Sequence, residues 1–492
     1  MAQSPPNEVY RYRRPKPDHR CRCLLVWLRK CILFRGAGFR TASRSEPIAG
    51  SESIWTMKRR EFLSTPLVPG TMAAASSLAQ ETPQYDTVLK GGHVIDPANQ
   101  INRQMDVAVS DGKIARVDRN IPVSLAKTSV NVSGYYVTPG LIDLHICCYY
   151  TRLDLTPSVI ADHHCLPSGV TTCCDGGTAG ADSFEDFKRI IDRSKMRILS
   201  FLNIAAPGAQ SNRAEQDPAQ FKVQLAADTA KKYPNLIVGF KTGHYGGTFS
   251  DTRPPWASVD AVVEAGRLTG LPVLADFTPM PPQGKFPATS YREFLLQKMR
   301  PGDIVTHCLA DRYPFLTEDG KLNSDVPKAR ARGVKFDLGH AGGSFSLRRV
   351  VPAVRQGFIP DSISADLFSD TPYTVGINLV NVMSKFLCLG VPLEDIIRRT
   401  TANPAQMIRR PELGNLSVGS TADIAVLEIM KGKFAYLGSG GGKIVGNQKL
   451  QCVLTLFGGR ILYDHPYGLS VPLWQDIPKD SRYWADTTKQ KT

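Results

Sequence analysis

His145, Cys147, Lys241, Asp276, His307, His340 and Asp366 each stand at the end of a short apolar run, where a side chain able to bind a metal or move a proton is out of place unless it is used. Imidazole, thiolate and carboxylate are ligands for divalent cations, and a cation so held polarises a carbonyl and lowers the pKa of water. Their convergence on one mouth would make a hydrolytic metal centre. Each residue also has a plainer reading. A histidine ending a strand is commonly a hydrogen-bonded structural residue. Cys147 could equally be a core thiol, and Asp276 the partner of a neighbouring cation. Lys241 follows Leu236-Ile-Val-Gly-Phe240, where an ammonium is costly to bury. It either pairs with an acid or stays neutral and reacts with carbon dioxide, giving a carbamate that bridges two cations. His244, in Lys-Thr-Gly-His-Tyr245, is a candidate ligand or substrate contact, against the alternative of surface loop. His340, opening His-Ala-Gly-Gly-Ser344, is placed like a substrate contact at the mouth. Its glycines do not form a phosphate loop, since no GxxxxGK[ST] pattern occurs. His163 and His164 are read as structural.

Residues so far apart in sequence need a fold that gathers strand ends. Strands are predicted to end at Leu141–His145, Thr171–Asp175, Ile198–Asn203, Ile237–Lys241, Val273–Asp276, Ile304–His307, Lys335–Gly339 and Ser362–Asp366. Helical periodicity fills the intervals, most clearly in Ser183–Lys195 and Val259–Thr269. This alternation predicts an α/β protein, a (β/α)8 TIM barrel over residues 138–410, whose active site lies at the C-terminal ends of its strands. The flanks have a different texture. Asp86–Lys90, Val94-Ile95, Met105–Val109, an Asp111-Gly112 hairpin signal and Lys113–Val117 read as a small antiparallel sheet. The texture returns in Ala422–Leu427, Cys452–Phe457 and Arg460–Tyr463. Residues 84–137 and 411–465 are therefore expected to build one small β-sandwich domain, with 466–492 as a C-terminal tail.

The chain has 492 residues, 42% hydrophobic and 21% charged, a globular composition that excludes disorder, collagen and coiled coil. No apolar run reaches the roughly 18 residues of a membrane-spanning helix. The net charge of +15 is concentrated in residues 1–60, which carry 14 Lys or Arg against four acids. The remainder is nearly neutral and has no basic run interleaved with aromatics, which argues against nucleic-acid binding. Met57-Lys-Arg-Arg-Glu-Phe-Leu63, followed by a mildly apolar stretch to Ala79, resembles a twin-arginine export signal over 57–79, so periplasmic or secreted protein is expected. On that reading Met57 is the start and residues 1–56 are an upstream extension. The 11 cysteines lack paired CxxC spacing and read mostly as buried small hydrophobes, with Cys147-Cys148 and Cys173-Cys174 pointing to opposite strand faces.

Several stretches together resemble the amidohydrolase superfamily, in its amidohydrolase/deacetylase branch near dihydroorotases, hydantoinases and D-aminoacylases. They are Gly91-Gly-His-Val-Ile-Asp-Pro97, Val137-Thr-Pro-Gly-Leu-Ile-Asp-Leu-His145, Gly169-Val-Thr-Thr172, Pro301-Gly-Asp-Ile-Val-Thr-His307, Phe336-Asp-Leu-Gly-His340, Ser362-Ile-Ser-Ala-Asp366 and Thr400-Thr-Ala-Asn-Pro404. The resemblance implies a metal-bound hydroxide attacking an amide, cyclic amide or ester carbonyl of a small molecule. It implies one or two divalent ions, zinc foremost, on His145, a carboxylated Lys241, His307 and Asp366, with Asp366 as general base and then acid. Two positions depart from the family pattern: Cys147 replaces the second histidine of an HxH pair, and Asp276 replaces the strand-five histidine. Both remain chemically able to bind zinc. A barrel kept only as a binding or assembly module, and a lyase or isomerase on the same scaffold, are the alternatives. Oligomeric state is open, a homo-oligomer included.

Overall fold

The computed structural model describes residues 83–150, 158–209, 213–242 and 244–484. The expected export signal, the upstream extension and the last residues of the tail lie outside them.

The N-terminal flank contributes β1 (Tyr85–Asp96), β2 (Ile101–Ser110), β3 (Lys113–Asp118), β4 (Ala126–Asn131) and β5 (Tyr136–Pro139). Asp111 and Gly112 join β2 to β3 with φ of +50° and +72°, the pair of left-handed residues that a tight hairpin turn requires. After the central region come β13 (Ile424–Leu437), β14 (Lys443–Phe457) and β15 (Arg460–Asp464). The two flanks form one eight-stranded sheet ordered β15-β14-β13-β5-β1-β2-β3, with β4 beside β1. Its seam is the antiparallel pairing of β5 with β13, Val137 opposite Val426. The sheet is mixed rather than antiparallel throughout: β1 runs parallel to both β4 and β5. The chain reaches β4 and β5 by connections long enough to reverse direction, which hairpin signals do not reveal.

Between the flanks, β6 (Leu141–Ile146), β7 (Val170–Asp175), β8 (Arg197–Asn203), β9 (Ile237–Lys241), β10 (Val273–Ala275), β11 (Ile304–Val305) and β12 (Lys335–Phe336) pair in sequence order as a seven-stranded parallel sheet. Both faces are covered, so these strands read as nearly continuous apolar runs. Alternate residues still separate by face. Ile142, Leu144, Cys174, Phe201, Val238 and Leu274 pack in one cluster, while Leu141, Cys173, Ile198, Ile237 and Phe240 pack in another. The adjacent cysteines of β7 thus serve two cores. Residues 362–367 make single parallel bridges to both edges of the sheet, Ser362 to Asp337 and Leu367 to Ile146.

Strands β10 to β12 are shorter than the sequence predicts because the chain leaves the ladder where the functional side chains begin. His307 has φ of +55° and Gly339 +50°. The helix expected over Ser183–Lys195 spans only Phe184–Ile191. Asp162 captures the following turn, accepting from Ser194 Oγ and from the Lys195 amide at 2.9 Å. Among the described residues no helix is long and apolar enough to cross a membrane.

Candidate metal centre

Strand β6 delivers His145, the turn after β11 delivers His307, and the bridging segment delivers Asp366. Their ligand atoms all lie within 4.8 Å of one another, and all three residues are buried. His145 Nε2 is 3.5 Å from Asp366 Oδ1, and His307 Nε2 is 3.7 Å from Asp366 Oδ2. What makes this a potential ligand set is the use of the opposite ring nitrogens. Thr306 Oγ1 donates to Asp337 Oδ2 at 2.9 Å, so it accepts from His145 Nδ1 at 3.0 Å. His307 Nδ1 donates to the Gly339 carbonyl at 2.8 Å. Each imidazole therefore spends its proton outward and turns an Nε2 lone pair to the same point, the arrangement a metal-binding histidine needs. Burial keeps both rings neutral, His145 far below the usual histidine range and His307 at about 3. Burial also lifts Asp366 to about 7, against the pull of Lys241 and His244.

The backbone is strained at two of these three residues. His307 and Asp366 have φ of +55° and +48°, a region costing roughly 1 kcal/mol or more for a residue with a Cβ. Room for His145 comes from Gly176: a Cβ there would lie 2.1 Å from His145 Cδ2 and 2.3 Å from Nε2. Asp337 anchors the next shell, taking Thr306, Ser362 and Ser364 hydroxyls together. Asp143 accepts the amides of His145 and Ala365, tying β6 to the Asp366 segment.

Lys241 is buried at the end of β9, and its Nζ donates to the Thr242 carbonyl at 3.0 Å. Among the described residues no carboxylate lies within 4.0 Å of it, although its charge acts on the Asp366 carboxyl.

The two departures from the expected ligand pattern fall outside the triad. Cys147 Sγ is 4.0 Å from Asp366 Oδ1, and burial followed by the Asp366 charge holds its thiol well above the usual range. Asp276 is fully engaged elsewhere. Arg312 Nη2 reaches its two oxygens at 2.8 and 3.0 Å, the Tyr313 hydroxyl donates to Oδ1, and His244 Nδ1 lies 2.7 Å from Oδ2. Burial opposes ionisation, but Arg312, His244 and His307 outweigh it and hold this carboxyl well below the usual range. His244 is solvent-exposed and stacks over His307 at 6.1 Å, so it does face the mouth, with its pKa raised by Asp276.

His340 is not at the mouth. It is fully buried, stacked on Phe345 at 4.5 Å, with Nδ1 donating to the Ala341 carbonyl and Nε2 accepting from Lys385 at 2.6 Å. The chain after β12 turns the ring inward, a direction that strand-end placement cannot give. Sequence reasoning did not single out Thr306, Asp337, Arg312, Tyr313 or Lys385. Thr306 and Asp337 sit beside His307 and His340 in stretches already conspicuous, and their buried polar character was the available signal. Arg312 and Lys385 act across 36 and 45 residues, and nothing local marks them.

No protein-family model matches the chain. A deacetylase of Agrobacterium fabrum is 29% identical over 333 residues, covering 65% of this chain and 77% of its own length. Among solved structures, an adenine deaminase superposes with a TM-score of 0.68 at 25% identity, covering 77% of this chain and all of the other. A dihydroorotase does so with a TM-score of 0.64 at 25% identity over the same share. The chain is thus similar to proteins named deacetylase, adenine deaminase and dihydroorotase, and this likeness supports the amidohydrolase superfamily and hydrolysis of a carbon–nitrogen bond.

Proposed function

We propose that the protein is a metal-dependent deacylase of small molecules, cleaving an amide, cyclic amide or acyl ester, on a (β/α)8 barrel whose eighth strand is segment 362–367 and whose flanking sheet is the companion β-sandwich domain. One observation carries this reading: two imidazoles with outward-spent Nδ1 protons and one carboxylate turn their free lone pairs to a single point. Three protein ligands with an open position are the pattern of a catalytic rather than a structural cation site. His145, His307 and Asp366 would hold the ion, zinc foremost, with Lys241 as its carbamate for a further oxygen ligand. When bound, the ion supplies Lewis acidity toward the acyl carbonyl and toward water.

The remaining work falls to side chains. Asp366 Oδ takes the proton from the attacking water and returns it to the leaving nitrogen or oxygen, general base and then general acid. Asp337, through Thr306, fixes the tautomer of His145, and the Gly339 carbonyl fixes that of His307. His244, exposed beside His307, is the side chain best placed to meet substrate.

The reading is supported by the deacetylase relative and tested by release of carboxylic acid. Metal-loaded protein is incubated with N-acetyl and O-acetyl small molecules and with cyclic amides. Turnover that chelation abolishes, and that Asp366→Asn lowers about 100-fold or more, is the expected result. Metal-replete folded protein that hydrolyses none of the three classes refutes it.

A further inference from the structure

Asp276 stands where the family pattern places a metal-binding histidine, and a free carboxylate 3.7 Å from His307 Nε2 would itself attract a second cation. It is not free. A carboxylate offers about four lone-pair sites. Here Oδ1 receives Arg312 Nη2 at 2.8 Å and the Tyr313 hydroxyl, while Oδ2 receives the same Nη2 at 3.0 Å and faces His244 Nδ1 at 2.7 Å. The permanently charged guanidinium already balances the carboxylate. The clamp is itself braced: the Tyr313 hydroxyl accepts the Phe277 amide at 3.0 Å, and Arg312 lies over the Tyr313 ring at 5.0 Å. Arg312 is only 28% exposed, and its buried Nε has no hydrogen-bond partner among the described residues. A second cation could reach Asp276 only by evicting this guanidinium from its sole carboxylate among the described residues, and a half-buried charge stripped of its partner is strongly destabilising. At the other end, Cys147 lies outside the set of atoms within 4.8 Å.

We infer that Arg312 replaces the second cation of a binuclear centre: it occupies Asp276, so that the site of His145, His307 and Asp366 takes a single divalent ion. This rests on the metal-centre reading above and adds its stoichiometry. Asp276 and Arg312 become positioning residues that hold His244 against His307, outside the ligand set.

The test is metal content with EPR spectroscopy of manganese-loaded full-length protein, neither of which depends on turnover. Wild type should saturate at a single equivalent with the spectrum of an isolated Mn(II) ion. Asp276→Asn should keep that equivalent with affinity lowered by at most about 10-fold, the lower end of what an outer-shell partner costs. Arg312→Met should admit a second ion by freeing Asp276, and the double variant Asp276→Asn/Arg312→Met, which leaves no unpaired charge, should return to a single ion. Two equivalents or an exchange-coupled pair in wild type overturns the inference, as does loss of the ion in folded Asp276→Asn, or a folded Arg312→Met that still takes only one. Wild type that binds no ion sinks the metal-centre reading itself.

Discussion

Thr306→Val removes one oxygen and keeps the side-chain shape, and it falls at the joint between metal centre and scaffold. Thr306 Oγ1 makes two buried hydrogen bonds, accepting from His145 Nδ1 at 3.0 Å and donating to Asp337 at 2.9 Å. Asp337 retains the Ser362 and Ser364 hydroxyls. His145 Nδ1 retains no hydrogen-bond partner among the described residues, because Asp337 Oδ2 is 4.0 Å away. Its Nδ1–H is then buried and unsatisfied, at a cost of about 1–3 kcal/mol. The ring can avoid that cost by moving the proton to Nε2, which removes the lone pair that faces His307 and Asp366. Loss of such an outer-shell partner typically lowers metal affinity about 10–100-fold, or about 1.4–2.8 kcal/mol. The assay is competition for the ion with a chelator of known affinity, alongside urea unfolding of the metal-free protein. Thr306→Ser, which keeps the oxygen, should bind like wild type. Wild-type metal affinity in folded Thr306→Val would refute the claim that the Asp337–Thr306 link sets the ligating tautomer.

Gly176→Ala should abolish metal binding while leaving most of the fold, since the new Cβ would sit 2.1 Å from the His145 ring, and elemental analysis of the purified variant checks it. Lys385 gives a pH prediction away from the metal. Burial lowers its pKa from 10.5 to about 7 in the folded chain, where its Nζ serves His340 Nε2 and the Leu437 carbonyl, the two hydrogen bonds a neutral amine can donate. The unfolded state then binds more protons between pH 7 and 10.5, so stability should rise with pH across that window by up to a few kcal/mol, and urea unfolding of Lys385→Met should show a flatter rise. Residues 57–79 should export a folded reporter through the twin-arginine route, and replacing Arg59 and Arg60 by lysine should stop it, as cell fractionation would report.

How much of this was legible in the sequence depends on the range of the interaction. Strand positions followed from apolar runs ending in polar residues: β9 was predicted as Ile237–Lys241 and is so, because both faces of a buried parallel strand must be apolar up to its exit. The hairpin at Asp111-Gly112 was legible because only a left-handed pair closes that turn. The direction of β4 and β5 was not, since pairing is decided by distant partners. In the site, the residue types at strand ends were visible, whereas their bonding was not. Asp276 reads identically whether it faces an ion or Arg312, and the arginine lies 36 residues on. His340 has the look of a mouth residue until the helix Leu379–Cys388 brings Lys385 against it.

The central claim is that His145, His307 and Asp366 together hold a divalent ion. Anomalous diffraction from crystals of zinc-loaded protein, recorded on either side of the zinc absorption edge, tests it most directly. A difference peak bounded by the two Nε2 atoms and the Asp366 carboxylate, with Cys147 Sγ and the Asp276 oxygens outside bonding distance, is the predicted result. A peak on sulfur or on Asp276, or no peak at the triad in zinc-saturated crystals, would contradict it.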